Sequence, residues 1–406
     1  MSDPTVTSLR SIAVAAYGPT VLASTALGVV TPILALTALE LGAGVAGAAV
    51  VVGLLGIGTL VGDLPAGALA GRFGERTLLI AAACVEAVGF AACALARSIV
   101  ALGAAVLLVG LAGSVFGLAR HAYLSEAVPL GLRARALSTL GGMHRVGLLV
   151  GPFLGAAAVT AWGHPGAYAV AACASLAAAG LVAVARDLAA HARDRLAEAP
   201  PAPPVWRVLA DRRRVLATLG VGILGVQAAR AARMAIVPLW AEAIGLDAAA
   251  TSLVFGISGV VDLALFYPAG WVMDRFGRAH VAVPSMAVLG LGLLVVPFAG
   301  SFWGLVAVAT VLAVGNGVGS GLLLTLGADA APEVGRAQFL SGWRLLGDVG
   351  VSTGPLLISA VTAIATLGAA AVVCGLLALA GAGWLAVWVP RYDPLRGARA
   401  PAQPTG

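Results

Sequence analysis

Between Ser11 and Leu39 the chain runs 29 residues without a charged side chain, and between Ala279 and Ala328 it runs 50. Apolar runs of this length constrain the fold more than any other feature. About 20 mainly apolar residues cross a bilayer core as a helix. Lipid offers backbone groups no partner, so a crossing segment is either a helix or part of a closed barrel. The short alternating segments of a barrel are absent. Of 406 residues, 60% are hydrophobic and 10% charged, against roughly 45–50% and about 25% in soluble domains. A water-soluble enzyme and a disordered chain are both excluded. The length leaves room for about twelve spans, so the expected fold is an all-α membrane protein.

Twelve helices are read at 11–39, 44–70, 77–96, 98–127, 136–161, 165–186, 214–240, 248–273, 279–299, 302–329, 337–362 and 365–389. The stretch Pro297-Phe298-Ala299-Gly300-Ser301 breaks the longest run. The chain opens without a charged leader and small-residue cleavage site, so the first run reads as a retained span. Cys84, Cys93, Cys173 and Cys374 lie in apolar runs without CxxC or zinc-type spacing. No phosphate loop, nucleophile elbow or metal cluster appears. No cofactor is therefore expected, nor catalysis, nor an ATP-driven cycle.

The arginines set the topology. All 24 basic residues are Arg. With both termini in the cytoplasm, 18 fall at cytoplasmic ends: Arg10, Arg72, Arg76, Arg133, Arg135, Arg186, Arg193, Arg195, Arg207, Arg212, Arg213, Arg214, Arg275, Arg278, Arg336, Arg391, Arg396 and Arg399. Arg97 alone falls outside, and Arg120, Arg145, Arg230, Arg233 and Arg344 lie within helices. This is the positive-inside bias, and it accounts for the net charge of +6 without a nucleic-acid partner. The organisation expected is a six-helix bundle over 1–186, a cytoplasmic linker over 187–213, a second bundle over 214–390 and a cytoplasmic tail over 391–406.

The halves repeat. Pro65-Ala66-Gly67 to Arg72-Phe73-Gly74 corresponds to Pro268-Ala269-Gly270 to Arg275-Phe276-Gly277, an offset of 268 − 65 = 203. The same offset carries Glu126-Ala127-Val128-Pro129 onto Asp329-Ala330-Ala331-Pro332, Arg133 onto Arg336, and Gly151-Pro152 onto Gly354-Pro355. Parallel repeats of this kind imply a substrate path between the halves near the midplane. That is already an argument for a transporter.

Gly270-x-x-x-Asp274-Arg275-x-Gly277-Arg278 resembles the cytoplasmic loop motif of the major facilitator superfamily, and the twelve-helix, two-bundle pattern is similar over essentially the whole chain. The first-half copy keeps Gly67, Arg72 and Gly74, but Gly71 and Glu75 replace the expected Asp and Arg. In the fifth helix, Gly147-x-x-x-Gly151-Pro152-x-x-Gly155-Ala156 is similar to the antiporter motif of family exporters, with Ala156 in place of a final Gly. Gly350-x-x-x-Gly354-Pro355 echoes it in the eleventh. Arg120 is similar to a buried fourth-helix Arg linked to proton coupling in the family. Read from the residues alone, glycines four apart are helix packing, and Asp274 with Arg278 is an interfacial ion pair. The resemblance implies gating roles as well.

Ionisable groups at bilayer depth are costly and mark functional positions. Asp63, Glu86, Arg120, Arg145, Arg230, Arg233, Asp262, Arg344 and Asp348 stand there. Asp63 lies eight residues before Gly71, about 12 Å of helix rise, and Arg344 lies about 10 Å into its helix. In the family fold the second helix faces the eleventh and the fifth faces the eighth. The resemblance therefore implies Asp63–Arg344 and Arg145–Asp262 pairs across the halves, latching the cytoplasmic side and weakened when the acid takes a proton. A pair within one helix, Arg344 with Asp348, stands as the alternative. Glu86 has a possible partner in Arg120. Gln227, Arg230 and Arg233 share a helix face that the family fold turns toward the cavity, where they favour anionic or zwitterionic cargo. Pairing with Glu242 or Asp262 is the alternative. Asn316, in Gly315-Asn316-Gly317-Val318-Gly319, reads as cavity wall. His121 and His144 read as packing histidines beside arginines.

The leading expectation is a proton-coupled exporter of small amphiphilic molecules, similar to the drug:proton antiporters of the superfamily. It is expected as a monomer in a bacterial inner membrane. An uptake carrier for an organic anion and a non-transporting scaffold are the alternatives.

Overall fold

The structure is a computed structural model that describes residues 13–128, 130–185 and 204–393. Among them every regular element is helical. The first span is α1 (Ala13–Val30) followed by α2 (Leu34–Glu40), then come α3 (Val45–Phe73), α4 (Glu75–Leu95) and α5 (Ile99–Ala127). One long element, α6 (Leu130–Val184), holds the fifth and sixth spans. In the second half α7 (Val205–Asp211) and α8 (Arg213–Val215) lead through a π turn over Leu216–Gly220 into α9 (Val221–Ala243). The remaining helices are α10 (Ala248–Phe276), α11 (Ala279–Val295), α12 (Phe302–Val318), α13 (Leu322–Ala330), α14 (Arg336–Ile364) and α15 (Leu367–Trp388). Among the described residues eleven helical stretches are long and apolar enough to cross a membrane, and the one at Arg135–Val184 carries two crossings. The chain is thus a multi-pass membrane protein.

Two helix readings need correction. The first span is not continuous, because the chain turns between α1 and α2 near Thr31 and Pro32. The tenth span breaks between α12 and α13, where Gly319 and Gly321 offer little helical propensity. The boundary expected between 161 and 165 is present as a sharp kink at Gly163, whose φ of 69° suits a residue without Cβ. The expected linker is also partly ordered. Val208 of α7 is buried and Leu209 packs against Gly342 of α14. Residues 1–12, 129, 186–203 and 394–406 lie outside the described residues, and with them Arg10, Arg186, Arg193, Arg195, Arg396, Arg399 and most of the linker and tail. The side chains of Glu126 and Arg133, and the surroundings of Gly67, lie outside them as well.

The sequence repeat is visible in the backbone. Gly74 and Gly277 each end a helix with positive φ, 78° and 102°, and each N–H returns to a carbonyl one turn back, Ala70 and Met273. Glycine is required at both turns because only a residue lacking Cβ adopts them freely. Close helix crossings repeat too. A Cβ on Gly151 of α6 would lie 2.6 Å from the Gly28 Cα of α1. A Cβ on Gly354 of α14 would lie 2.7 Å from the Ala232 nitrogen of α9. Contacts this close are how helices associate in lipid, where apolar burial gives little drive.

Two crossings join the halves: α3 on α14, and α6 on α10. Gly53 and Gly56 of α3 meet Pro355, Leu356 and Ser352 of α14, while Phe153 and Leu149 of α6 meet Gly256 and Gly259 of α10. These contacts lie in the half of the membrane away from the arginine-rich ends, where α2 also touches α9. Toward the arginine-rich ends Gly270 faces open space and Tyr267 is exposed. There the first half forms its own apolar clusters around Phe116 and Leu124, separate from the main core. The halves form a wedge that opens on the arginine-rich side.

Candidate functional site

Two groups of charged side chains sit where the wedge closes. In the first, Arg145 Nη1 of α6 donates to Asp262 Oδ1 of α10 at 2.7 Å. The Arg145 guanidinium also lies 4.7 Å from the centre of the Phe266 ring. The other oxygen of Asp262 accepts from Asn316 Nδ2 of α12 at 2.5 Å, with Arg233 Nη2 of α9 at 3.8 Å. Arg230 is fully engaged: Nε donates to Asn316 Oδ1 at 2.6 Å, Nη1 to Gln227 Oε1 at 3.2 Å, and Nη2 to the Asn316 carbonyl at 3.3 Å. Asn316 thus ties an arginine to an aspartate and is more than cavity wall. Of the partners named for Arg230 and Arg233, the structure brings Asp262 to Arg233. These side chains line a cavity of about 310 Å³ between the halves, whose apolar walls include Leu148, Leu149, Met234 and Phe255.

In the second group Arg344 Nε of α14 lies 3.5 Å from Asp63 Oδ2 of α3 and 3.9 Å from Asp348 Oδ2. Both sequence alternatives therefore occur at once, because one guanidinium serves both acids. Ser114 of α5 donates a short hydrogen bond to Asp63 Oδ1. Arg344 also lines a second cavity of about 260 Å³ with Glu86, Arg120 and His144. The possible Glu86–Arg120 pair is not formed. Glu86 accepts from Ser175 Oγ at 3.0 Å, and Arg120 makes no ion pair within 4 Å among the described residues. His144 shares a 2.5 Å hydrogen bond with Ser24, and His121 bonds the Gly117 carbonyl at 2.7 Å.

The loop motif works inside its own half. Arg278 Nε donates to Asp329 Oδ2 at 2.8 Å, whereas Asp274 lies 3.5 Å away and is 80% exposed. The Asp329 carboxylate, ahead of Asp274, holds the Arg278 guanidinium above its ordinary pKa. The Arg278 backbone N–H donates to Asp393 at 2.9 Å, which fastens the loop to the end of the last span. Arg275 stacks on Trp271 and Phe276, and Arg72 on Phe73. In the first half Arg76 reaches across to the Ala183 and Ala185 carbonyls at 2.8 and 2.9 Å. Gly147, Gly151 and Gly155 press against Val21, Gly28 and Val29 of α1, and Gly350 and Gly354 against α9. Pro152 lines the first cavity, and Pro355 meets Gly53.

Sequence reasoning did not find Ser24, Ser114, Ser175, Asp329 or Phe266. A lone hydroxyl in an apolar helix was the available signal for the serines, since a buried hydroxyl seeks a partner. Among the described residues no three His, Cys, Asp or Glu are grouped to hold a metal.

The chain matches the family model described as Major Facilitator Superfamily over residues 19–232 and 219–405. It is similar to Multidrug resistance protein MdtH of Klebsiella pneumoniae subsp. pneumoniae, with 27% identity over 286 residues, 69% of this chain and 68% of the relative. MdtH of Enterobacter sp. (strain 638) is 26% identical over 325 residues, 79% and 72% of the two chains. Among solved structures, a POT family transporter in complex with a thioalcohol conjugated peptide superposes with a TM-score of 0.78 at 12% identity, covering 94% of this chain and 96% of the other. A D-xylose-proton symporter superposes with a TM-score of 0.71 at 17% identity, covering 95% and 98%. With both halves matched and the fold shared, the chain belongs to the Major Facilitator Superfamily and is a membrane transporter rather than an enzyme.

Proposed function

We propose that this transporter exports small amphiphilic molecules from a bacterial cell in exchange for protons. It would act as a monomer in the inner membrane with both termini cytoplasmic. The observation that carries the reading is the Arg344 cluster. One cation joins Asp63 on the first half to Asp348 on the second, within the membrane and apart from the larger cavity. A proton on Asp63 removes its attraction to Arg344 across the wedge and biases the halves toward separation, whereas a proton on Asp348 removes an attraction within the second half. Cargo binds in the cavity beside Arg145 and Asp262, so proton and cargo act on one conformational equilibrium from different places. The relatives' printed name, multidrug resistance protein, supports export. The arginine bias supports the orientation and the division at 186 and 214.

The test is accumulation of fluorescent dyes, one cationic and one anionic amphiphile, in an efflux-deficient bacterial host. Wild type, Asp63→Asn and empty vector are compared with and without a protonophore. Lower dye in wild type alone, abolished by the protonophore, supports the reading. Equal accumulation of both dyes in all three strains sinks it.

A further inference from the structure

We propose that the cavity between the halves binds an amphiphilic organic anion, with the cargo's carboxylate held by Arg233 and the neighbouring arginines. This names the cargo class for the site proposed above and rests on that site being the cargo path. The argument begins with charge. Arg145, Arg230 and Arg233 line the cavity, and Asp262 is the one carboxylate among its lining residues. Three cations face one anion.

Asp262 supplies one negative charge against three positive ones. One of its oxygens is taken by Arg145 at 2.7 Å and the other by Asn316 at 2.5 Å, which leaves Arg233 at 3.8 Å. Arg230 spends its donors on neutral oxygens of Asn316 and Gln227, which fix its position without cancelling its charge. Arg233 is only 5% exposed, and its Nε has no hydrogen-bond partner. A buried guanidinium with an orphaned donor is costly in a lipid-surrounded interior unless something completes it. A carboxylate matches its planar fork, and such charge-assisted pairs are about twice as strong as neutral hydrogen bonds. The rest of the cavity sets the remainder of the ligand. Leu148, Leu149, Pro152, Met234, Phe255 and Leu263 form an apolar wall beside the arginines. A ligand with one charged end and a ring-sized apolar body fits both parts.

The test uses three probes sharing one fluorophore: dansylglycine, its uncharged amide, and a dansyl derivative ending in an ammonium. Each is titrated by fluorescence anisotropy against the purified full-length protein in detergent, with empty micelles subtracted. The expected result is binding of dansylglycine at least about tenfold tighter than the amide, with the ammonium probe weakest. Arg233→Gln brings the carboxylate probe to the level of the amide, whereas Arg233→Lys keeps part of the preference. Equal or tighter binding of the ammonium probe to wild type overturns the proposal, as does a carboxylate preference unchanged in Arg233→Gln. The wild-type ranking stands even if a variant fails to fold. A carboxylate preference without any export in cells would overturn the export reading and leave this site in place. Export without the preference would do the reverse.

Discussion

Arg344 stands between two carboxylates, with its Nε 3.5 Å from Asp63 on the opposite half and 3.9 Å from Asp348 one turn along its own helix. Either acid alone can serve as its counter-ion. Asp63→Asn and Asp348→Asn should therefore each be tolerated. The double variant strands the cation, and the loss of a last partner costs far more than a weak exposed pair. Thermal unfolding of the purified proteins should show a double-variant loss exceeding the sum of the singles by about 1 kcal/mol or more. Additive losses would mean that the acids do not share Arg344.

Gly151 tolerates no side chain. A Cβ there would lie 2.6 Å from the Gly28 Cα and from the Val29 nitrogen, both backbone atoms that cannot swing aside. Gly151→Ala should cost about 1–3 kcal/mol through forced backbone shifts. Gly142 lies on the same helix with nothing within 4 Å of a built Cβ. Gly142→Ala should be neutral or stabilise by up to about 1 kcal/mol, as expected for glycine in an open helix. Opposite shifts of the melting temperature are the readout.

Much of this was legible in the primary structure. The Pro-Ala-Gly repeat offset by 203 residues marked two corresponding halves, and in the structure Gly74 and Gly277 make matching turns. Depth counted from helix ends placed Asp63 level with Arg344, because rise per residue is fixed once a helix is known. Azimuth was less accessible. Helices that are apolar on every side carry no stripe to say which neighbour a polar group faces. So Arg120 stands only as a possible partner for Glu86, which bonds Ser175, and the link from Arg278 to Asp329, 51 residues away, was not foreseen. The break after Val318 was hidden by glycines that recur throughout these helices.

The halves meet closely away from the arginine-rich ends, and a covalent link there should arrest the cycle. A Cβ built on Gly53 lies 3.6 Å from the Cβ of Pro355, close to the roughly 3.8 Å of a disulfide. In a background with Cys84, Cys93, Cys173 and Cys374 replaced by Ser, the Gly53→Cys/Pro355→Cys protein should cross-link on oxidation. Dye export should stop and return on reduction. Export that continues in the cross-linked protein would show that this contact does not open during transport.

Arg278 bonds Asp329 more tightly than Asp274, so the two acids should differ on substitution. Asp274→Asn, at an exposed 3.5 Å pair, should change stability by less than about 0.5 kcal/mol, and Asp329→Asn should cost more. A base held above its ordinary value in the folded state stabilises fully below that ordinary value and loses the contribution only as pH rises through the folded one. For arginine both lie well above the range in which proteins are ordinarily studied. The Arg278 contribution, read as the melting difference between wild type and Asp329→Asn, should therefore stay flat from about pH 6 to about pH 9. A difference that shrinks with rising pH in this range would assign it to another group.

The glycine crossings also bear on how the molecule can move. Where Gly28 meets Gly151, and Ala232 meets Gly354, main chains touch with no side chain between them to cushion a slide. A side chain can repack in small steps, but two main chains wedged together shift as one piece or come apart altogether. The first and fifth spans thus form one stiff lever, and the seventh and eleventh form another. Relative motion of the halves therefore falls on the contacts each lever makes with the opposite half, the Asp63–Arg344 and Arg145–Asp262 pairs among them.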